Sequence, residues 1–280
     1  MSGPCFSRYV AIGDSSTEGI DDPDGAGGYR GWADRLAETI ATTQGPLLYA
    51  NLAIRGRRTR PIREEQLAPA LAMRPDLVTF FSGTNDVVAR DFDLGRTAGD
   101  VERVHRAVIA SGATLVTFTL PDLAAVMPLG RFIAARVEAL NGALREIAAR
   151  TGARLVDFAA HPVASDPRLW SADRLHANAA GHARIAAALA RALELPGADG
   201  AWREPLPEPA PRPALERLRA EVSWIGSYLV PWASRHLVGR SSGDGVAPKR
   251  PVLRPVEPHP AAEHGARQPM ARAPEGEAKG

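Results

Sequence analysis

A serine between two glycines follows the first apolar run of the chain, in the segment Gly13-Asp-Ser-Ser-Thr-Glu-Gly19. The glycines permit a tight turn, and the backbone N–H groups after such a turn can face an anion. Ser15 would lie where the apolar run ends, which is a position suited to a nucleophile. Thr17 stands where the nucleophile elbow of another hydrolase fold has its second glycine, so the segment is not that motif. A serine-rich turn without chemistry is the alternative interpretation.

Two later segments contain groups that could stabilise a negative charge. Asn51-Leu-Ala-Ile-Arg-Gly56 ends in a glycine, which lets the backbone approach a substrate and donate an N–H group. In Ser82-Gly-Thr-Asn-Asp86, the side chain of Asn85 could donate to a developing oxyanion, a contribution of roughly 3–4 kcal/mol in hydrolases. An ordinary loop glycine and an Asx turn or helix cap are the respective alternatives.

An acid and a histidine lie three residues apart in Asp173-Arg-Leu-His176. In a turn, this spacing lets the carboxylate accept a hydrogen bond from the imidazole Nδ1–H, which leaves Nε2 free to take a hydroxyl proton. A surface ion pair is the alternative. His161 and His182 are other candidate bases, but neither has an acidic residue three positions earlier.

Composition and spacing argue against several other chemistries. His176 and His182 are six residues apart, not the four that place two metal ligands on one helical turn, so no metal site is predicted. The lone Cys5 excludes an internal disulfide and a thiolate-clustered metal site. Schiff-base chemistry, phosphate loops and kinase catalysis need a lysine in the folded body, and Lys249 and Lys279 both lie in the C-terminal part.

The four segments, in this order, resemble the SGNH (GDSL-type) hydrolase family, which is named for its Ser, Gly, Asn and His blocks. Gly13-Asp-Ser15 is similar to the first block and Asn51 through Gly56 to the second. Gly83-Thr-Asn-Asp86 matches the third, and Asp173-x-x-His176 the fourth. The resemblance spans residues 8–193. It implies a three-layer α/β/α fold and hydrolysis of esters without a metal or another cofactor.

The resemblance also assigns roles. Ser15 would be the nucleophile that carries an acyl-enzyme, and His176 would be the general base and then the general acid, oriented by Asp173. Ser16 is an alternative nucleophile, although the Gly-Asp-Ser alignment favours Ser15. A bulkier apolar residue is common in the family where this chain has Ser16, which could alter the floor of the pocket. The oxyanion hole would be formed by the backbone N–H groups of Ser15 and Gly56 with the side chain of Asn85, supported by Asp14 and Asn51.

We therefore expect a serine esterase that acts on small or medium acyl esters. Removal of acetyl groups from carbohydrates and hydrolysis of lysophospholipids are alternatives within the family. A catalytically idle domain that binds a glycan, a lipid or a protein is the alternative from another class.

The net charge of +2 at pH 7 is too small to indicate a nucleic-acid partner. The N-terminus has no basic segment followed by an apolar run, which favours a cytoplasmic protein.

Short apolar runs alternate with stretches of helical period over most of the chain. This alternation predicts an α/β fold whose five-stranded parallel sheet is covered on both faces. The resemblance implies that this sheet belongs to a flavodoxin-like three-layer sandwich. In such sheets the reactive groups lie on loops at the carboxyl ends of the strands. The predicted strands are Tyr9–Ile12, Leu47–Leu52, Leu77–Phe81, Thr114–Leu120 and Arg154–Asp157.

Three regions are expected along the chain. Residues 1–195 form the hydrolase domain, and residues 196–240 form a Pro-rich linker with an amphipathic helix over 212–240. This helix could contact a second subunit or, less favoured, an anionic membrane surface through its aromatic and arginine residues. Residues 241–280 are rich in Pro, Gly, Ala and charge, which predicts a disordered tail whose deletion barely changes thermal stability.

Overall fold

The protein is described by a computed structural model, which covers residues 4–208, 224, 227 and 242–257. Strands and helices alternate from residue 8 to residue 192, and one further strand follows late in the chain. The strands are β1 Arg8–Gly13, β2 Leu48–Asn51, β3 Leu77–Phe81, β4 Thr114–Phe118, β5 Arg154–Val156 and β6 Arg250–Pro255. The helices are α1 Ser15–Glu18, α2 Gly31–Gln44, α3 Thr59–Glu65, α4 Leu67–Ala72, α5 Thr84–Val88, α6 Leu94–Ala110, α7 Ala134–Thr151 and α8 Ala179–Ala192.

The strands of the described residues belong to one sheet with the order β5-β4-β3-β1-β2-β6. The first five are parallel, as predicted, and β6 runs antiparallel to β2. Every residue of β3 is buried, because a parallel strand in the middle of such a sheet is covered on both faces. The prediction of an α/β fold is confirmed, but the sheet has six strands instead of five.

The direction of the crossovers places the helices in two layers. From β1 the chain moves to β2 on one side of it through α2, and later to β3, β4 and β5 on the other side through α3, α4, α6 and α7. Right-handed crossovers in opposite directions lie on opposite faces of a sheet. The helix pairs agree with this, since α2 packs on α8 and α6 packs on α7 and α3. The carboxyl ends of β1 and β3 consequently form the switch point where ligands bind in such folds.

The strand β6 corrects the prediction of a disordered tail over residues 241–280. It pairs with β2 through Tyr49↔Arg254 and Asn51↔Arg250, and thereby covers backbone groups that would otherwise form an open sheet edge. The prolines that suggested disorder are compatible with an edge strand, which needs only part of its N–H groups for the ladder. The prediction is wrong for the segment 250–255 because pairing with a distant sheet edge leaves no local signal.

Lys249, directly before β6, is also part of the folded body, contrary to the prediction that placed both lysines outside it. Its ammonium group donates to the carbonyl oxygens of Tyr29 at 2.9 Å and Arg30 at 2.8 Å, and lies 3.1 Å from Asp34 Oδ1. These three contacts engage all three N–H bonds of the side chain. Lys249 is therefore an anchor between β6 and the loop before α2, and not a candidate nucleophile.

The predicted helix over 212–240 lies outside the described residues, apart from Trp224 and Ser227. A subunit or membrane contact through this segment stays a prediction. Trp224 itself is buried, with 7% of its surface exposed. Among the helices that the structure describes, none has both the length and the apolar character needed to cross a membrane.

Candidate active site

The turn after β1 presents Ser15 at the first position of α1. Asp14 caps this helix, because its Oδ1 accepts a hydrogen bond from the backbone N–H of Ser16 at 3.0 Å. Gly13 leaves no space for a side chain: a Cβ there would lie 2.2 Å from Thr17 Oγ1 and 2.7 Å from the carbonyl oxygen of Phe81. Glycine at this position lets the strand turn into the helix directly, which holds the Ser15 hydroxyl at the sheet edge.

A continuous chain of hydrogen bonds joins Asp173, His176 and Ser15. His176 Nδ1 lies 2.6 Å from Asp173 Oδ2, and His176 Nε2 lies 2.8 Å from Ser15 Oγ. Since an ionised carboxylate only accepts, Nδ1 carries the proton and Nε2 is the acceptor for the serine hydroxyl. Arg174 adopts a left-handed φ of 58°, which closes the turn between the acid and the base. The structure thus brings together the three residues that the sequence predicts as the catalytic set.

The protonation states of this pair suit general-base catalysis. Burial disfavours the charge on Asp173, but its hydrogen bonds with His176 and Ser171 outweigh burial and hold its pKa well below the usual range. Burial likewise disfavours a charged His176, yet the Asp173 carboxylate outweighs this and raises the pKa of the imidazole. Asp173 Oδ1 also accepts the backbone N–H groups of Leu175 at 2.8 Å and His176 at 3.0 Å, which fixes the carboxylate in place.

Three candidate oxyanion donors line one groove with Ser15 Oγ. Gly56 has a φ of 72°, a left-handed conformation that glycine adopts without strain. In the described part of the chain, the backbone N–H groups of Ser15 and Gly56 donate to no protein acceptor. The side-chain amide of Asn85 donates to the carbonyl oxygen of Arg57 at 3.0 Å and to Asp14 Oδ2 at 3.2 Å. One of these two bonds must be exchanged before Asn85 can donate to a substrate oxygen.

Asp14 and Asn51, the two residues expected to support the oxyanion hole, contact the serine turn and the loop that carries Gly56. Burial raises the pKa of Asp14 to about 7, although its bond from Ser16 opposes the shift. The Asn51 amide donates to the carbonyl oxygen of Thr17 at 2.8 Å, and its Oδ1 accepts the N–H of Ala53 at 3.0 Å. Asn51 therefore joins α1 to the loop that carries Gly56.

Two openings meet at His176. One is a groove of 1510 Å³ that contains Ser15 and all three candidate oxyanion donors, with arginine–aspartate pairs and apolar side chains on its outer walls. Phe132, on one of these walls, is 69% exposed. The other is a small cavity of 80 Å³ that shares His176 and Leu175 with the groove. Its lining is mostly apolar and includes Ser16, Phe81, Phe118, Leu123, Phe158, Val163 and Trp170.

The competing candidates from the sequence have structural contacts instead. His182 is buried, its Nδ1 accepts the backbone N–H of Trp32 at 3.1 Å, and its Nε2 donates to the carbonyl oxygen of Ile20 at 3.0 Å. Burial lowers the pKa of His182 to about 4, so it stays neutral. His161 packs edge-on against Trp202. Ser16 Oγ accepts a bond from the Trp32 indole N–H at 3.3 Å and does not contact a base.

Asp21 and Ser171 belong to the site, although sequence reasoning missed both. The Ser171 hydroxyl lies 2.5 Å from Asp21 Oδ2 and 2.6 Å from Asp173 Oδ1. A serine two residues before an acid is a weak signal for such a turn, and Asp21 lies in a loop with other acids that gave no signal. Asp21, Asp173 and His176 also form the one set of described residues whose ligand atoms are close enough for a cation, within 4.8 Å of one another. A cation there would have to break the Asp173–His176 bond.

Comparisons with known proteins identify the family and the fold. Residues 11–184 match the family described as GDSL-like Lipase/Acylhydrolase, whereas a sequence comparison with curated proteins finds no match. The fold is similar to that of TesA, with 19% identity and a TM-score of 0.57 over 67% of this chain and 98% of that one. It is also similar to Axe2, an acetylxylan esterase from Geobacillus stearothermophilus (19% identity, TM-score 0.57, 71% of this chain and 96% of that one). A third similar structure is the psychrotrophic esterase EstA from Pseudoalteromonas sp. (17% identity, TM-score 0.54, 67% and 97%).

Proposed function

The chain belongs to the GDSL-like lipase/acylhydrolase family and is an ester-bond hydrolase, and from this premise we propose that it is a serine esterase with an acyl-enzyme at Ser15. The observation that carries the proposal is the unbroken hydrogen-bond chain from Asp173 through His176 to Ser15 Oγ. A nucleophile in contact with a base, which is itself oriented by a third group, is the arrangement that activates a serine hydroxyl.

In the first half of the reaction, Ser15 Oγ attacks the ester carbonyl carbon while its proton passes to His176 Nε2. Asp173 stabilises the imidazolium that results. The carbonyl oxygen becomes an oxyanion, and it accepts hydrogen bonds from the backbone N–H groups of Ser15 and Gly56 and from the Asn85 amide. Collapse of this intermediate expels the alcohol, which takes the proton from His176 and leaves the acyl group on Ser15.

In the second half, water replaces the alcohol in the groove. His176 Nε2 accepts a proton from the water as its oxygen attacks the acyl carbon, and the same donors stabilise the second oxyanion. The carboxylic acid then leaves, and the proton returns to Ser15 Oγ. Every proton transfer in this cycle uses His176, so the cycle needs no metal or cofactor.

The sizes of the two openings support a short acyl group and a large alcohol. The cavity of 80 Å³ beside His176 is apolar and holds roughly five to eight water-sized groups, which corresponds to a chain of a few carbon atoms. The groove of 1510 Å³ is open and has room for a bulky alcohol. A long acyl chain, as in a lysophospholipid, would exceed the cavity. We therefore favour esters of acetate and other short acids.

Removal of acetyl groups from carbohydrates is the second candidate function. Exposed Phe132 and half-buried Phe92 offer aromatic faces in the groove, and the ion pair of Arg58 with Asp91 at 2.9 Å offers hydrogen-bonding groups beside them. Sugar rings combine C–H faces with hydroxyl groups and fit such a surface. Axe2, which has the same fold, is an acetylxylan esterase.

The test is hydrolysis of p-nitrophenyl esters from C2 to C12 by the wild type, Ser15→Ala and Ser16→Ala. We expect the highest kcat/KM at C2 to C4 and a steep fall by C8. Ser15→Ala should lose several orders of magnitude in kcat, whereas Ser16→Ala, the adjacent serine, should stay within a few fold of wild type. Wild-type activity in Ser15→Ala would overturn the mechanism, and a maximum at C8 or above would overturn the short-acyl proposal. Release of acetate from an acetylated xylo-oligosaccharide tests the second candidate.

A further inference from the structure

A second carboxylate lies beside the ring nitrogen that Asp173 already binds. Asp21 Oδ2 is 3.8 Å from His176 Nδ1, while Asp173 Oδ2 is 2.6 Å from it. Asp21 belongs to the loop after α1 and Asp173 to the turn before α8, so the two acids reach the imidazole from separate parts of the chain. The four motif segments assign no role to Asp21.

Ser171 connects the two carboxylates. Its Oγ lies 2.5 Å from Asp21 Oδ2 and 2.6 Å from Asp173 Oδ1, but the hydroxyl has a single hydrogen to donate. Asp173 Oδ1 already accepts two backbone N–H groups, whereas Ser171 is the one hydrogen-bond donor to the Asp21 carboxylate among the described residues. The Ser171 hydroxyl can therefore bond either carboxylate but only one at a time, and it links the two acids in one small network.

The backbone holds Asp21 in this position. Asp21 has a left-handed φ of 68°, which is uncommon for a residue with a side chain. Both of its neighbours are fixed: the carbonyl oxygen of Ile20 accepts a bond from His182 Nε2, and Asp22 forms a two-bond ion pair with Arg35 at 2.8 and 2.9 Å. These contacts keep the uncommon conformation and direct the loop toward the catalytic turn.

We propose that Asp21 is a positioning residue of the active site, whose carboxylate supports the imidazolium of His176 across 3.8 Å and orients Asp173 through Ser171. The proposal rests on the proposed function, because it concerns the steps in which His176 holds the Ser15 proton. In those steps the imidazolium has two carboxylates on its Nδ1 side instead of one. Asp21 touches neither substrate nor the reacting atoms, so it acts through His176.

The charged groups around His176 determine whether removal of the Asp21 charge raises or lowers the pKa of His176. The acids that face it are Asp173, Asp21 and Asp14, and each raises its pKa against the opposing effect of burial. Among the basic groups nearby, His182 is neutral near pH 7 because burial lowers its pKa to about 4. Arg174 and the arginines of the groove keep their charge over the whole pH range, so they do not change between wild type and variant. Removal of the Asp21 charge must therefore lower the pKa of His176. The acid limb of the profile of kcat/KM against pH then moves to lower pH, and kcat on the plateau falls.

The experiment compares Asp21→Asn with Asp24→Asn, a change of the same charge in the same loop. Asp24 accepts backbone N–H groups of its own turn, and no contact joins it to His176 in the described structure. For Asp21→Asn we expect the acid limb to move down by about 0.5–1 pH unit, less than a fully buried charge would give, with kcat reduced about 3- to 10-fold. For Asp24→Asn we expect the wild-type profile. An unshifted acid limb in Asp21→Asn would overturn the proposal.

A second measurement does not depend on turnover. The pKa of His176 can be followed by NMR in the Ser15→Ala background, with the ring signal assigned by its loss in His176→Gln. Adding Asp21→Asn to this background should lower the titration midpoint, and Ser171→Ala should lower it less. If the wild type hydrolyses no ester but the midpoint still moves, the proposed function fails and the Asp21 contact stands. If the midpoint is unchanged, the role of Asp21 is refuted whatever the enzyme hydrolyses.

Discussion

Replacement of Lys249 by methionine should destabilise the protein strongly, although the residue lies far along the chain from the catalytic segments. The ammonium group donates to two carbonyl oxygens and contacts Asp34, and its side chain is 20% exposed. Methionine keeps the aliphatic stem but removes all three polar contacts. It also leaves Asp34 without its cation, next to the hydroxyl of Tyr49 at 2.7 Å.

The size of the loss follows from these contacts. Removal of one partner of a buried ion pair costs about 3–5 kcal/mol. Asp34 is 27% exposed and keeps its bond from Tyr49, so we expect a value near the lower limit, about 3 kcal/mol. For a domain of this size that corresponds to a fall in Tm of about 6–12 °C.

The stability loss caused by Lys249→Met should also depend on pH. Burial raises the pKa of Asp34, and Lys249 is the largest opposing influence. Without Lys249 the pKa of Asp34 rises further, and at low pH the carboxyl can take up a proton and avoid a buried charge. Because this relief disappears as the pH rises through that pKa, the loss of stability should be larger at pH 8 than at pH 5.

Thermal unfolding by circular dichroism at both pH values measures the effect. The control is Arg106→Met, which removes one exposed i,i+4 pair with Glu102 and should change Tm by no more than about 1–2 °C. Deletion of residues 242–280 should destabilise at least as much as Lys249→Met, since it also removes β6. A Tm within 2 °C of wild type for Lys249→Met would refute the anchoring of the C-terminal strand, using the range of about 2–4 °C per kcal/mol.

Three further outcomes follow from the site. Asn85→Ala removes one oxyanion donor and should lower kcat about 100- to 1000-fold at a temperature where the variant is still folded. Calorimetry should also show a lower Tm, because the Arg57 carbonyl and the buried Asp14 carboxylate each lose a hydrogen bond. Because the pKa of His176 is raised, the fall of kcat/KM on lowering the pH should have its midpoint above about 6.5, the ordinary pKa of histidine. A midpoint of this acid limb near pH 5 would contradict the Asp173 contact. Ser16→Leu places a larger side chain at the wall of the 80 Å³ cavity and should reduce activity on C4 and C6 esters more than on C2, and an unchanged chain-length profile would show that the acyl group lies elsewhere.

The parallel strands, and the segments that meet at their carboxyl ends, could be predicted from the sequence. Buried strands such as Leu77–Phe81 are continuous apolar runs, which few other structures require. The serine and asparagine segments follow such runs directly, and the rule that ligands bind at the switch point then brings them together. Asp173 and His176 needed only the local geometry of a turn.

The features that sequence reasoning missed depend on contacts between distant residues. The segment Arg250–Pro255 has prolines and charges that indicate disorder, and its partner Leu48–Asn51 lies about 200 residues earlier. The local sequence does not distinguish such a segment from a disordered tail, because its pairing depends on an open sheet edge elsewhere in the fold. Asp21 is similar: its position follows from a left-handed backbone conformation that is held by Ile20 and Asp22, and spacing alone does not predict it.

The most direct test of the central claim is to identify the residue that a serine-reactive fluorophosphonate modifies. The wild type, Ser15→Ala and Ser16→Ala are treated with the probe, and the peptide with residues 9–30 is analysed by fragmentation mass spectrometry. The account predicts a single adduct on Ser15 in the wild type and in Ser16→Ala, and none in Ser15→Ala. An adduct on Ser16, or an unlabelled wild type that still hydrolyses esters, would contradict it.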